Sequence, residues 1–355
     1  MRVRPDESLA RAPAVSLSPL EAGDERAWDD FVRARPEGTF FHLSGWKRVV
    51  EKAFGHKTHY LMARRGGEIA GVLPLTHVKS RLFGNSLISN AFCVQGGILA
   101  RDEDAKRALE AEAIRIGTRD KVDCVEFRST QPAHPDWLQK AGLYVTFRRP
   151  IHPQAEANLK AIPRKQRAMV RKGISNGLVS TCDSDIGRVH DVYAHSVRNL
   201  GTPVFPRRYF ELLKEEFGEA CDVVTVLHGR KAVASVLNFY FRDEVLPYYG
   251  GGLTEARDLA ANDFMYWEVM RRASERGYKI FDFGRSKVGT GAYKFKSYWG
   301  FEPTPLTYEY RLIQADTIPD VNPLNPKFRA FIALWRRLPV PLTKLVGPFI
   351  VRGIG

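Results

Sequence analysis

Cysteine is scarce in this chain. Cys93, Cys124, Cys182 and Cys221 are the only four in 355 residues, with no CxxC pair and no histidines beside them at zinc-ligand spacing. That excludes a disulfide scaffold and a structural zinc module, and the four read as small buried residues of a reducing compartment. Long apolar runs are missing too. None reaches the roughly 18 residues of a membrane-crossing helix, and the opening stretch MRVRPDESLARAPA is charged but has no apolar secretory core. A cytoplasmic protein with no metal is expected.

Acidic residues are also in deficit. Asp plus Glu number 40 against 54 Lys plus Arg, a formal charge of +14. Hydrophobic residues at 44%, with 11% aromatic, exclude a disordered chain and provide for two cores. The positive surplus favours polyanionic partners: nucleic acid, an acidic membrane surface or phosphorylated substrates.

The elements come in an order that repeats. VSLSPL from Val15 reads as a strand, and Asp24 to Arg35 as a helix with Trp28, Phe31 and Val32 on one face. Thr39 to Phe54 predicts a second helix with Ser44 as its N-cap. A hairpin then turns at Arg64 to Gly67, SLISNAFCVQGGILA forms a strand ending at Gly96 and Gly97, Asp102 to Gly117 a helix, and DCVEFRS a strand. The second half repeats this with a hairpin at Gly229, EVLPYYGGGLTE running into Gly250 to Gly252, a helix over Ala260 to Gly277, and the strand KIFDFGRS. In both halves roughly thirty residues separate the glycines from the last strand, the mark of an internal duplication. Residues 1–14 are expected to be a loosely held start, 15–150 and 151–313 the two domains, and 314–355 a basic amphipathic tail.

Chemistry concentrates in FDFGRSKVGTGAYKFKSYWGFEP, Phe281 to Pro303. Asp282 ends a buried strand, where sites of α/β sheets form. Gly284, Gly289 and Gly291 permit a left-handed backbone and close ligand approach. Tyr293, Lys294, Phe295, Lys296, Tyr298 and Trp299 then set ammonium groups among rings, suited to a phosphate, a carboxylate or a developing oxyanion. In the first copy Glu126 and Arg128 stand where the second has Asp282 and Arg285, but no such loop follows. Two further stretches are basic. Leu159 to Leu178 places Arg164, Lys165, Arg167, Arg171 and Lys172 on a helix, either a solvated face or an anion-binding one. Phe328 to Leu338 predicts a basic amphipathic helix that either lies on an anionic bilayer or packs back onto the first domain.

Two tandem units of helix, hairpin, strand, helix and strand resemble the GNAT (N-acyltransferase) fold, each a mixed, mostly antiparallel sheet flanked by helices. The stretches FFHLSGWKRVVEKAFG, GVLPLTHVKSRLFGNSLISNAFCVQGGILA, IPRKQRAMVRKGISNGL, VFPRRYFELLKEEFG, FDFGRSKVGTGAYKFKSYWGFEP and NPLNPKFRAFIALWRRLP together resemble the FemAB family. In particular they resemble members associated with exosortase/PEP-CTERM and exopolysaccharide systems. The resemblance implies a transferase moving an acyl or aminoacyl group onto an amine of a phosphorylated or sugar-linked envelope precursor. Its donor would be acyl-CoA or aminoacyl-tRNA, neither bound as a resident cofactor. It implies that a lysine of the FK segment, here Lys296 after Phe295, holds phosphates or transition-state charge. The long helical arm by which some members engage tRNA is absent, and QGG and GGG only partly stand in for a CoA pyrophosphate loop.

Amide formation requires a neutral amine, a proton acceptor and donors for the tetrahedral oxyanion. Asp282 is the candidate acceptor, Lys296 with Arg285 the charge stabilisers, and Tyr249 or Tyr248 the donor to the leaving group. Tyr293 and Trp299 would wall the acceptor pocket beside Lys294, and Asn262 is either a substrate contact or a helix cap. The competing readings are a GNAT-like enzyme using acyl-CoA on an amino sugar or amine, and a non-catalytic adaptor docking polyanions or the membrane edge.

Overall fold

The computed structural model describes residues 14–130, 132–319 and 329–355. Residues 1–13, where a loosely held start is expected, and Phe328, expected to open the tail helix, lie outside the described residues. The first half contains β1 (Ser16–Pro19), α1 (Glu25–Ala34), α2 (Gly45–Phe54), β2 (Lys57–Arg65), β3 (Glu68–Ser80), β4 (Gly84–Ser89), β5 (Leu99–Ala100), α3 (Glu103–Arg119), β6 (Cys124–Ser129) and β7 (Leu138–Pro150). The second half contains α4 (Ala155–Ala161), α5 (Arg164–Ser175), β8 (Leu178–Cys182), α6 (Ile186–Leu200), α7 (Arg207–Phe217), β9 (Cys221–His228), β10 (Lys231–Phe241) and β11 (Glu244–Gly252). It continues through α8 (Ala261–Glu275), β12 (Ile280–Asp282), β13 (Ser286–Lys287), α9 (Gly291–Tyr298) and β14 (Pro303–Leu312) to α10 (Arg329–Trp335) and α11 (Val340–Val351).

Several boundaries differ from expectation for local reasons. The helix expected from Thr39 starts only at Gly45. Phe40 to His42 form a separate turn capped by Thr39, and the Ser44 amide donates to Asp29 Oδ1 at 2.8 Å, with no capping bond from its own side chain. The strand expected to reach Gly97 stops at Ser89. Asn90 and Phe92 are left-handed, and the Asn90 amide bridges Tyr60 OH and the Phe41 carbonyl. The basic stretch is divided at Ile162–Pro163 into α4 and α5, because proline disfavours helix in the residue before it. α8 is capped by left-handed Ala260, and Asn262 makes no capping bond.

One continuous sheet runs β1-β2-β3-β4-β6-β14-β7-β12-β11-β10-β9-β8, with β5 beside β3 and β13 beside β7. Its centre alternates between the halves. β14, from the end of the second half, pairs antiparallel with β6 from Cys124–Leu312 to Ser129–Thr307. β7, from the first half, lies between β14 and β12, with Asp282 opposite Arg148. Each half has given its last strand to the other.

The main core is likewise shared. Phe40 stacks on Phe239 at 4.3 Å between centroids, Trp46 packs on Phe217, and Phe41 on Tyr248. Arg48 Nε reaches both carboxylate oxygens of Glu216 at 2.9 Å, tying α2 to α7. Because this cluster spans both halves, calorimetry of the full chain is expected to show one unfolding transition. Phe40→Ala should lower it as a whole by roughly 3–5 kcal/mol. Two peaks, with only one moved by the substitution, would contradict the shared core.

Candidate active site

β11 and β12 are parallel and pair only at Glu244–Ile280 and Val245–Phe281. β11 then continues to Gly252, while the chain after β12 follows β7, so the two strands part beside Asp282. Tyr248 is the extra residue of a bulge: Tyr249 faces Leu237 and Pro247 faces Asn238, leaving Tyr248 without an opposite residue on β10. A cleft opens in the sheet at this level.

Asp282 Oδ1 accepts from the Gly284 amide at 2.7 Å and from Thr146 Oγ1 of β7 at 3.2 Å. Burial pushes its carboxyl above the usual range; the Gly284 bond opposes this, nearby Glu244 adds to it, and Lys296 and Arg148 oppose it. The loop that follows turns through left-handed Gly284 and Gly289. Added Cβ atoms at Gly284, Gly289 and Gly291 would meet nothing within 4 Å, so this loop borders open space. The glycines of β11 have a different cause. A Cβ on Gly251 would lie 2.5 Å from Ser196 Cβ, and one on Gly252 2.7 Å from Asn262 Oδ1, so α6 and α8 require them.

Lys296, on α9, is only 8% exposed and points back under this loop. Its Nζ donates to the carbonyls of Phe283 at 2.6 Å, Gly284 at 3.0 Å and Arg285 at 3.2 Å. Burial pushes the ammonium down to about 7, with Arg285 acting in the same direction and Asp282 against. The three carbonyl acceptors favour the charged form. The α9 N-terminus is fixed by Thr290, which accepts from the Tyr293 amide and donates to the Lys287 carbonyl.

Arg285 lies over the Tyr144 ring at 4.7 Å and donates to Tyr308 OH at 2.8 Å. Its counterpart Arg128 approaches the same Tyr308 ring at 5.3 Å, but is bound to Glu126 at 2.6 Å and to the Cys93 carbonyl at 2.9 Å. Strand exchange thus brings the arginines of the two copies to one tyrosine.

The other expected site residues are dispersed. Tyr248 is half-buried, donating to the Phe92 carbonyl at 3.4 Å, whereas Tyr249 is buried with its hydroxyl 2.9 Å from that of Tyr209. Burial pushes both phenols up. Trp299 is wholly buried and donates to Asp263, which also accepts from Gln166, joining α9, α8 and α5. Tyr293 packs edge-on against Phe147 and Lys294 is exposed. On α5, Arg164, Lys165 and Arg171 are exposed, and Arg167 donates to the Lys160 carbonyl. Thr146, Arg148, Tyr144 and Tyr308 were not expected here. The alternation of Leu306, Tyr308 and Tyr310 marks a strand, but nothing local places it beside Asp282. A cleft of about 320 Å³ lined by Arg33, Tyr240, Arg242, Arg276 and Tyr278 contains none of these residues.

Residues 158–297 match the model of the acetyltransferase (GNAT) domain. No curated protein matches the sequence. Among solved structures, one described as FemX superposes with a TM-score of 0.66 at 17% identity, covering 84% of this chain and 98% of that one. The C-terminal domain of a putative lysylphosphatidylglycerol synthetase from Agrobacterium fabrum gives 0.51 at 13%, covering 81% and 91%. A tandem GNAT protein from the clavulanic acid biosynthesis pathway gives 0.51 at 13%, covering 85% and 100%. The chain has the GNAT fold, a mixed, mostly antiparallel sheet flanked by helices, and its second half carries a GNAT-type acyltransferase domain.

Proposed function

We propose that the protein forms an amide by transferring an acyl or aminoacyl group to an amine of a cell-envelope or exopolysaccharide precursor, a FemAB-like role. The carrying observation is the parting of β11 from β12 beside Asp282, whose carboxyl lies within a loop bordering open space. The likeness to FemX across both halves supports a large acceptor, and the lysylphosphatidylglycerol synthetase neighbour an aminoacyl-tRNA donor. The chain's charge of +14 suits a phosphorylated acceptor or one presented at an anionic membrane surface.

In this reading Asp282 takes the proton of the attacking amine, directly or through a water. Its raised carboxyl suits that exchange. Nitrogen adds to the donor's carbonyl carbon, and collapse of the tetrahedral intermediate breaks the bond to the leaving oxygen or sulfur, which takes the proton held by Asp282 and so restores the carboxylate. Arg285, at the mouth of the exchanged strands, holds acceptor phosphate. Lys296 is a positioning residue: its three protons are committed to the carbonyls of the loop that follows Asp282 and carries Arg285. Acyl-CoA transfer to an amino sugar or amine is the second reading. The acetyltransferase match and the closeness of the α8 N-terminus to the glycines of β11 favour it.

Mass spectrometry of the full chain with acyl donor and UDP-linked amino sugars or peptide precursors separates the readings. Product from aminoacyl-tRNA is expected. Product only from acetyl-CoA selects the second reading, and no amide from either donor defeats both. For the base, kcat/KM should rise with pH until the Asp282 carboxylate is formed, then level off. Asp282→Asn should lose that rise and about 10²–10⁴-fold in rate while keeping donor affinity. For Lys296 the test is stability. The unfolded ammonium holds its proton to an ordinary value near 10.5, the folded one only to about 7. Between these the unfolded chain binds more protons, so the free energy of unfolding contributed at this position rises with pH. Urea unfolding should therefore show wild type gaining on Lys296→Met by roughly 1–2 kcal/mol from pH 7 to pH 9. An unchanged difference would mean that the three carbonyls offset burial and hold the ammonium charged across this range.

A further inference from the structure

α11 is apolar on both sides. Val340, Thr343, Gly347 and Val351 form its buried face, and a Cβ on Gly347 would lie 2.9 Å from the backbone of Val204, so the helix is seated close against the segment joining α6 to α7. Leu342, Leu345, Val346 and Phe349 recur at spacings of three and four on the opposite side. They are exposed, Leu345 by 67% and Phe349 by 73%. α10 adds exposed Phe331 and Leu334, and is held on the same segment by Trp335 Nε1 donating to the Thr202 carbonyl. Leu200, beside it, is 64% exposed. A connected apolar surface of this kind marks an interaction site.

Charge identifies the occupant. From Arg329 to Gly355 the chain has Arg329, Arg336, Arg337, Lys344 and Arg352 and neither Asp nor Glu. Arg336 and Arg337 precede α11 and Arg352 follows it, so cations flank both ends of the apolar row, and Lys344 is tied to Asp191 at 2.5 Å. A helix of 12 residues is too short to cross a bilayer, and among the described residues no helix is long and apolar enough to do so. Apolar side chains facing outward between flanking arginines fit a helix lying in the headgroup plane of an anionic membrane.

We infer that the α10–α11 face docks the protein on an anionic lipid bilayer, with Leu342, Leu345, Val346 and Phe349 entering the acyl boundary and Arg337 and Arg352 meeting phosphate headgroups. The contact is peripheral and reversible. It needs neither donor nor acceptor, so it stands or falls apart from the acyl-transfer reading. The α11 end is nonetheless tied to the cleft wall: the Arg352 carbonyl is 2.7 Å from His56 Nε2, His56 stacks on Phe92, and the Phe92 carbonyl accepts from Tyr248.

The test is flotation of the full chain with vesicles of phosphatidylcholine alone or with added phosphatidylglycerol. Wild type should float with the anionic vesicles, less so as salt rises. Leu345→Glu with Phe349→Glu should weaken binding at least about 10-fold. Both positions are exposed, so an unchanged thermal midpoint will show that the variant is folded. Arg337→Glu with Arg352→Glu should remove the preference for anionic lipid. Leu82→Glu, equally exposed but at the β3–β4 turn, should change nothing. The inference is overturned if wild type floats with neither vesicle, or if the Leu345/Phe349 variant binds as wild type does. It is also overturned if light scattering finds a dimer that this variant dissolves, since the face is then an interface between copies.

Discussion

The exchange of final strands is the constraint on which the rest depends. Had β7 stayed beside β6 and β14 beside β12, each half would close on itself, and the residues around Asp282 would all come from residues 244–312. Instead Thr146 and Arg148 arrive from β7, and Tyr308 bridges the copies from the middle of the sheet. Ladder hydrogen bonds alone would not hold two halves this way, since water competes for them in the unfolded chain. The shared aromatic core makes separation costly, because Phe40, Trp46 and Tyr248 have their partners in the other half.

Lys296 shows how a buried cation is accommodated in that frame. A lone ammonium in an apolar setting would lose its proton. Here the rings of Phe147 and Phe283 lie 5.8 and 5.9 Å from Nζ, and three successive carbonyls converge on it. The same bonds that satisfy the cation fix the path of residues 283–285. Loop geometry and lysine burial are therefore one arrangement, which is why a window dense in glycine still presents a defined carboxylate.

What the sequence made legible follows from distance along the chain. Asp282, Arg285 and Lys296 fall within one turn-and-helix window, so their proximity could be read directly, as could the duplication, whose elements recur in order. Tyr144, Thr146 and Tyr308 could not be placed, since a period-2 pattern says that a strand exists and not which strand it joins. Tyr248 and Tyr249 are adjacent, yet a bulge separates their surroundings, and no residue type in LPYYGGG announces it. The glycines of that strand read as a partial stand-in for a CoA pyrophosphate loop, and Ser196 and Asn262 account for Gly251 and Gly252 through packing.

The copies also differ in what their charges are free to do. Glu126 and Arg128 are both buried and bound to each other, and the remaining guanidinium hydrogen bonds go to backbone carbonyls, so that pair is neutral and closed. Asp282 and Arg285 are each only half-buried, and neither is the other's hydrogen-bond partner: one faces Thr146 and the Gly284 amide, the other Tyr308. The insertion of one residue between carboxylate and arginine, two apart in the first copy and three in the second, accounts for this. In the first copy both residues lie on β6, where positions two apart share a face and meet, whereas in the second β12 ends at Asp282 and left-handed Gly284 turns the chain before Arg285. A pair that cannot neutralise itself keeps a carboxylate and a cation separately available, and a chemical role could arise in the second copy while the first served as its scaffold.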